Sequence, residues 1–286
     1  MCLILAFLIM LVAFTGCGSE TSTNKNNTGT TKAATTGAQG DVLEGDWKYI
    51  KEKGELILGM TYFAPMNYLD DDGNLIGFET EFAKAVCEKL GVTAKFVEID
   101  WDSKETELKA KNIDCIWNGM TIDDQRKANM EITIPYMRNK QVMVALADNA
   151  ESLKTAEAVS GKYIVAELGS AGESLAEEDD FFKDANFTAV DTQAKALMEV
   201  KAKTADAAII DYVMSIGSIG AGTDYADVVV VPNDGLAPEE YGEAIRKGSN
   251  VVEKVNEAMQ ALANEGKLKT IAETYKLEEL LLVQPK

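Results

Sequence analysis

Histidine is missing altogether from the 286 residues. Its absence removes Ser-His-Asp catalysis, His-containing zinc sites and the usual proton shuttle near neutral pH. Cations are scarce beside acids, 28 Lys and Arg against 47 Asp and Glu, and the formal net charge is -19. No basic stripe is available to displace phosphate counterions, so nucleic acid is not expected as a partner and electrostatic adhesion to anionic lipid is disfavoured. Cysteine is rare: of four, Cys2 and Cys17 fall near the start, leaving Cys87 and Cys115 among apolar neighbours. These two read either as a disulfide or as two buried free thiols. No Walker A or strand–GxGxxG–helix unit occurs; the run Gly217-Ser218-Ile219-Gly220-Ala221-Gly222 follows a helical stretch and reads as a loop. Neither a cofactor, nor a metal, nor a catalytic residue set is expected.

What is present begins with an address. Leu3 to Phe14 is an apolar run too short to span a bilayer comfortably but suited to the core of a secretory signal, here residues 1–16. It ends at Phe14-Thr15-Gly16-Cys17, which resembles the bacterial lipobox, although Phe14 stands where Leu is usual and no Lys or Arg precedes the run. The resemblance implies a lipoprotein, with palmitate-type acylation at Cys17 and the chain held outside the cytoplasm at the cell membrane by that lipid alone. Residues 17–46 read as the lipidated Cys plus a flexible tether, since Gly18 to Gly40 is rich in Thr, Asn, Gly and Ser and nearly free of apolar residues.

From Glu55 onward strands and helices alternate. Leu56 to Met60 is a short apolar strand; Phe78, Phe82, Ala85, Val86 and Leu90 recur at helical spacing up to Gly91. Lys95 to Ile99 and Ile113 to Trp117 read as strands around a helical Ser103 to Lys111. A second series follows Tyr136, with strands at Val142–Leu146, Tyr163–Ala166, Phe187–Val190, Ala207–Ile210 and Val228–Val231, and a strand resumes from Tyr241 to Arg246. Two C-terminal helices carry Val251, Val255, Met259, Leu262 and then Leu268, Ile271, Tyr275. Such alternation predicts an α/β architecture with helices packed on largely parallel sheets.

The run Gly73 to Lys84, GNLIGFETEFAK, is similar to the GxLxGFDxDLAK signature of amino-acid-binding receptors of ABC transporters. Ile99-Asp100-Trp101-Asp102, the segment Ile113 to Ile122, Arg126, Gly169-Ser170-Ala171, Ala205 to Asp211, and Tyr241-Gly242 with Arg246-Lys247-Gly248 keep that family's order and spacing. The resemblance runs from about Glu55 to Lys276. It implies the type II periplasmic-binding-protein fold: two lobes, each a mixed sheet flanked by helices, joined by two hinge crossovers with the ligand in the cleft. Lobe 1 is expected over 47–136 and 241–286, lobe 2 over 137–240. The implied partners are a free amino acid and the permease subunits of an ABC importer, and the receptor is expected to be a monomer.

The residues make chemical sense of this. A buried amino acid needs an opposite charge and hydrogen bonds for both its carboxylate and its ammonium. Arg126, just beyond a strand, offers a planar fork for the carboxylate, with Thr121 adding a hydroxyl and N–H and Gly119 allowing close approach. Ser170 and Ala171 stand at a helix N-terminus, a natural anion site. Asp211 ends a buried strand and suits the ammonium. Each has a plainer reading: Arg126 as a surface charge, Asp211 as a helix cap, Thr121 as a turn residue. Phe63 and Trp101 are expected to wall the side-chain pocket; Trp117 and Tyr212 read equally as core, and Glu167 either faces the ligand or is solvated. Relatives that favour basic ligands commonly carry a carboxylate near the position of Met60, so the resemblance points to a polar, uncharged amino acid such as glutamine or cystine. Phe63-Ala64-Pro65-Met66 departs from the commoner aromatic-Pro-Pro-Phe. The rival readings are a dehydratase-like enzyme on the same fold, with Glu167 as its acid, and a ligand-sensing ectodomain.

Overall fold

Short apolar strands that alternate with amphipathic helices bury both sheet faces only when the helices stack against them, and this chain does so twice. A computed structural model describes residues 45–232, 236 and 238–286. The signal segment, Cys17 and the tether before Gly45 lie outside the described residues.

The first series comprises α1 (Gly45–Lys53), β1 (Glu55–Met60), the hairpin β2 (Tyr68–Leu69) and β3 (Leu75–Ile76), α2 (Phe78–Leu90), β4 (Thr93–Glu98), α3 (Lys104–Lys109), β5 (Cys115–Ile116), α4 (Asp124–Asn129) and β6 (Met130–Ile132). The second comprises β7 (Met137–Leu146), α5 (Ala147–Ala150), α6 (Ala156–Val159), β8 (Tyr163–Glu167), α7 (Ala171–Glu178), β9 (Asn186–Val190), α8 (Gln193–Lys201), β10 (Ala207–Asp211), α9 (Tyr212–Ser218), β11 (Val228–Val230) and β12 (Pro238–Tyr241). The chain then returns with β13 (Ala244–Arg246), α10 (Val251–Asn264) and α11 (Lys267–Thr274).

The first sheet runs β4-β1-β5-β13-β6 and the second β11-β7-β10-β8-β9. Both are mixed. β1 pairs parallel with β4 and β5, while β13 is antiparallel to β5 and β6. β8 is parallel to β9 and β10, while β7 is antiparallel to β10 and β11. Two segments connect the sheets: β12 pairs antiparallel with the first residues of β7, Tyr241 against Met137 through Pro238 against Lys140. An aromatic cluster packs where these segments leave the first sheet, with Phe82 edge-on to Trp117 at 5.3 Å and Tyr136 between Phe78 and Tyr241. Trp117 is fully buried there, so its core reading holds.

Three local departures from the sequence reading have physical causes. The run Tyr241 to Arg246 is two strands in different sheets, because Gly242 and Glu243 turn away to pair with Met120 and Thr133. β7 begins five residues earlier than its apolar stretch, since partner strand β12 extends the ladder through polar positions. Helix α1 takes in Gly45 and Asp46, which had read as tether. Asp46 is buried because Arg246 pairs with it at 2.9 Å, with Asp114 at 3.2 Å, and Lys53 closes on Asp114 at 2.6 Å. Cys87 and Cys115 are both buried free thiols.

Candidate functional site

In open α/β sheets the ground beyond the carboxyl ends of the strands is where side chains converge without covering helices. Here the residues after β1 and β5 meet the ends of β8 and β10 across one narrow cavity. It is lined by Phe63, Trp101, Gly119, Thr121, Arg126, Ser170, Ala171 and Asp211, all eight candidates from the sequence, and by Thr61, Tyr62, Asn118, Glu167 and Gln193.

Arg126 is the third residue of α4. Asp123 caps that helix by accepting the Arg126 N–H at 2.7 Å, and its carboxylate pairs with Nε at 3.2 Å. Nη1 donates to the Thr121 carbonyl at 2.7 Å, and Nη2 to the Gly169 carbonyl of the opposite sheet at 3.3 Å. Two guanidinium N–H groups are thus hydrogen-bonded and Nε is ion-paired, which leaves one N–H on each terminal nitrogen. The side chain is buried yet keeps a two-pronged donor toward the cavity.

Asp211 faces it from the end of β10. Its carboxylate accepts from Asn139 at 2.6 Å, Gln141 at 2.7 Å and Gln193, all neutral amides. Gln193 also accepts the Asp211 backbone N–H at 2.9 Å. Amide donors fix the carboxylate's position without cancelling its charge, so a cation from outside the chain can still pair with it.

Backbone detail completes the frame. Asn118 clamps the end of β1 to the end of β5: its amide donates to the Thr61 carbonyl at 2.9 Å and its oxygen accepts the Thr61 N–H at 3.0 Å and hydroxyl at 2.7 Å. Gly119 adopts a φ of 53° and donates its N–H to the buried Glu79 at 2.6 Å. A Cβ there would lie 2.7 Å from the Phe63 ring, so only glycine keeps both the turn and the aromatic wall. Ser170 caps α7, its hydroxyl accepting the Glu173 N–H at 3.1 Å, while Glu173 reaches back to the Gly169 N–H at 2.6 Å. Ala171 therefore opens the helix at the cavity edge, where its N–H has no partner within the helix.

Two acids, Glu167 and Asp211, share the cavity with Arg126. Burial first, and the Asp211 charge second, push the Glu167 carboxyl up to about 8, against the pull of Lys104 and Gln193. Lys104 is itself brought down to about 8, by burial first and by the Arg126 charge next. Its ammonium donates to the carbonyls of Trp101 at 3.0 Å and Gly169 at 2.9 Å and sits 4.7 Å from the centre of the Trp101 ring.

This geometry has counterparts in known proteins. The family model of the bacterial extracellular solute-binding proteins, family 3, matches residues 56–278. The chain belongs to that family. The solute-binding protein is 27% identical over 234 residues to the L-cystine-binding protein TcyJ of Escherichia coli (strain K12), covering 81% of this chain and 86% of the relative. Among solved structures, an ABC uptake transporter substrate-binding protein from Streptococcus pneumoniae with bound histidine superposes with a TM-score of 0.74 at 30% identity, over 82% of this chain and 98% of the other. The ancestral amino-acid-binding protein AncCDT-1, a precursor of cyclohexadienyl dehydratase, gives 0.72 at 29% identity, over 80% and 98%. The fold is that of type II periplasmic binding proteins.

Sequence reasoning missed Tyr62, Thr61, Asn118, Gln193 and the role of Lys104 in this solute-binding protein. Thr61 and Tyr62 directly follow the end of β1, a position that the strand-end rule could have flagged. Gln193 carried no signal, because its partner Asp211 is 18 residues away. Met60 is buried and does not line the cavity, whereas Glu167 does. Any acidic specificity group in this cleft comes from the second sheet, not from Met60.

Proposed function

We propose that this solute-binding protein captures a free α-amino acid with a polar side chain between two lobes and presents it to the permease subunits of an ABC importer. One observation carries the reading: Arg126, with two unengaged N–H groups, and Asp211, whose side chain is held by neutral amide donors, face one cavity. The ligand carboxylate pairs with Arg126, with help from Thr121 and the Ser170–Ala171 helix start, and the ammonium pairs with Asp211. Phe63 and Trp101 hold the side chain, and Gly119 lets the ligand reach the main chain. In this reading lobe 1 is residues 47–136 with 241–286, lobe 2 is 137–240, and β7 with β12 forms the hinge. Calorimetric titration of the purified protein with the common amino acids and cystine tests it. At least one should bind, and Arg126→Ala should weaken that binding by about thirtyfold or more; failure of the whole panel to bind removes the proposal.

The chain acts outside the cytoplasm as a monomer, held by a lipid on Cys17. Cys17→Ser should release it from the membrane fraction, and unchanged membrane association would refute the anchor. A second reading is kept by one observation: Glu167, raised to about 8, is protonated at neutral pH as the general acid of a dehydratase would be. The intact zwitterion pair favours binding instead, and no turnover of prephenate-like acids is expected.

A further inference from the structure

Glu167 is left over when the zwitterion's partners are assigned. It ends β8, is only 3% exposed and lines the cavity. Its Oε1 has no hydrogen-bond partner among the described residues. The cations near it are committed elsewhere. Lys104 directs two of its three ammonium N–H groups to the Trp101 and Gly169 carbonyls, and Arg126 donates to the Thr121 and Gly169 carbonyls while its Nε pairs with Asp123. The other charges around it are acidic: Asp211 on β10 and, beyond Asp211, Glu239 on β12.

We infer that Glu167 selects the ligand, its free carboxylate oxygen receiving a second cationic group, so that preferred ligands are α-amino acids carrying an ammonium or guanidinium in addition to the α-ammonium. The inference rests on the assignment of Arg126 and Asp211 to the zwitterion. A ligand whose side chain offers this oxygen no donor would satisfy those two and close the cleft over a carboxyl oxygen with nothing to bind, an unsatisfied buried group that discriminates against it, and a neutral donor would meet it without balancing its charge. A second cation supplies the missing partner. It can come from a side-chain terminus, as in arginine or ornithine, or from the second α-ammonium of cystine; the recognised chemistry is the same.

Proton accounting gives an independent signature. Burial and the Asp211 charge hold the empty-site carboxyl at about 8, so it is largely protonated at pH 7. A cation placed beside it favours the carboxylate and brings that value down, so binding near pH 7 releases a proton. A neutral ligand that accepts a hydrogen bond from protonated Glu167 would release none.

The test uses the purified, ligand-stripped protein and its Glu167→Gln variant, which keeps the side chain's shape. Arginine is compared with citrulline, its neutral isostere. Cystine is compared with the mixed disulfide of cysteine and 3-mercaptopropionate, which lacks only the second ammonium. In at least one pair the wild type should prefer the cation by tenfold or more, about 1.4 kcal/mol. Glu167→Gln should reduce that preference to within about threefold, and the buffer-dependent heat of proton release at pH 7 should vanish with it. No preference in either wild-type pair, or a preference that survives Glu167→Gln, overturns the assignment while leaving the amino-acid receptor standing. Absence of binding to every ligand, neutral and cationic, overturns both.

Discussion

Arg126 illustrates how a single side chain can be both fixed and available. Thr121 and Gly169 each accept one N–H, Asp123 pairs with Nε, and the remaining fork is aimed rather than floppy. Lysine has three donors on one rotating nitrogen and cannot satisfy those anchors while also gripping two carboxylate oxygens. Arg126→Lys should therefore bind far more weakly than wild type, and Arg126→Ala or Asp211→Asn should lose about 2–5 kcal/mol of ligand affinity because a buried ligand charge is left unpaired. Affinities within about threefold of wild type for both truncations would exclude these residues as ligand partners. A decarboxylated ligand should lose affinity in the wild type and little more in Arg126→Ala. At this scale the sequence was informative where a charged or small residue directly follows a strand, as with Arg126, Asp211 and Gly119. It was silent where a side chain acts through a distant partner. Asn118 clamping Thr61, and Gln193 orienting Asp211, are contacts between strands and helices whose adjacency exists only after folding.

Elements bring buried acids together in a way that makes stability depend on pH. Glu79 on α2 is fully buried and accepts from Gly119, Asn67 and Tyr136. Glu243, between β12 and β13, is equally buried, and neither of its oxygens has a hydrogen-bond partner among the described residues. Burial first, then the Glu79 charge, pushes the Glu243 carboxyl well above the ordinary carboxylate range; burial pushes Glu79 up to about 7 against its three donors. A raised folded-state value means that the folded protein holds a proton which the unfolded chain gives up at about 4.3. The contribution is complete below that point and is lost as pH rises toward the folded value. Thermal midpoints should thus fall from pH 5 to pH 8, a trend that the net charge of -19 reinforces. Glu243→Gln should come nearest to wild type at about pH 4, exceed it increasingly toward pH 8 and show a shallower slope; equal slopes would show that Glu243 does not titrate with folding. Legibility followed element length. The long amphipathic helices α2, α10 and α11 stood out from periodicity. The hairpin β2–β3 did not, because two-residue strands have no period and their turn is set by Asp70 accepting from Asp72 and Asn74.

Across the whole molecule, direct contacts between the two halves identify where closure can be blocked. Gly169 of the second sheet's loop receives Arg126 and Lys104, and the end of α9 meets the loop after β1, with Ser218 donating to the Ala64 carbonyl at 3.4 Å. Alternation and family resemblance had made two α/β halves legible, but not which atoms touch between them, since closure depends on surfaces that no periodicity encodes. Gly217 is the tightest of these surfaces. A Cβ built on it would stand 2.7 Å from the Pro65 nitrogen and Cδ and 2.9 Å from the Ala64 carbonyl carbon. Those neighbours are mostly backbone and cannot swing aside. Within α9 itself the change is benign, because alanine favours a helix over glycine by up to about 1 kcal/mol. Gly217→Ala should therefore leave the ligand-free thermal midpoint unchanged or slightly raised while holding the proposed lobes apart. A ligand that gains its last contacts only on closure should then bind at least tenfold more weakly, roughly 1.4 kcal/mol, and the contraction expected in solution scattering on ligand addition should shrink or disappear. A variant that binds and contracts like wild type would mean that the loop after β1 yields, and that closure is not limited at this contact. A variant with a lowered ligand-free midpoint would place the clash inside the resting fold instead, and with it the arrangement of α9 against Pro65 as a permanent contact rather than one made on capture.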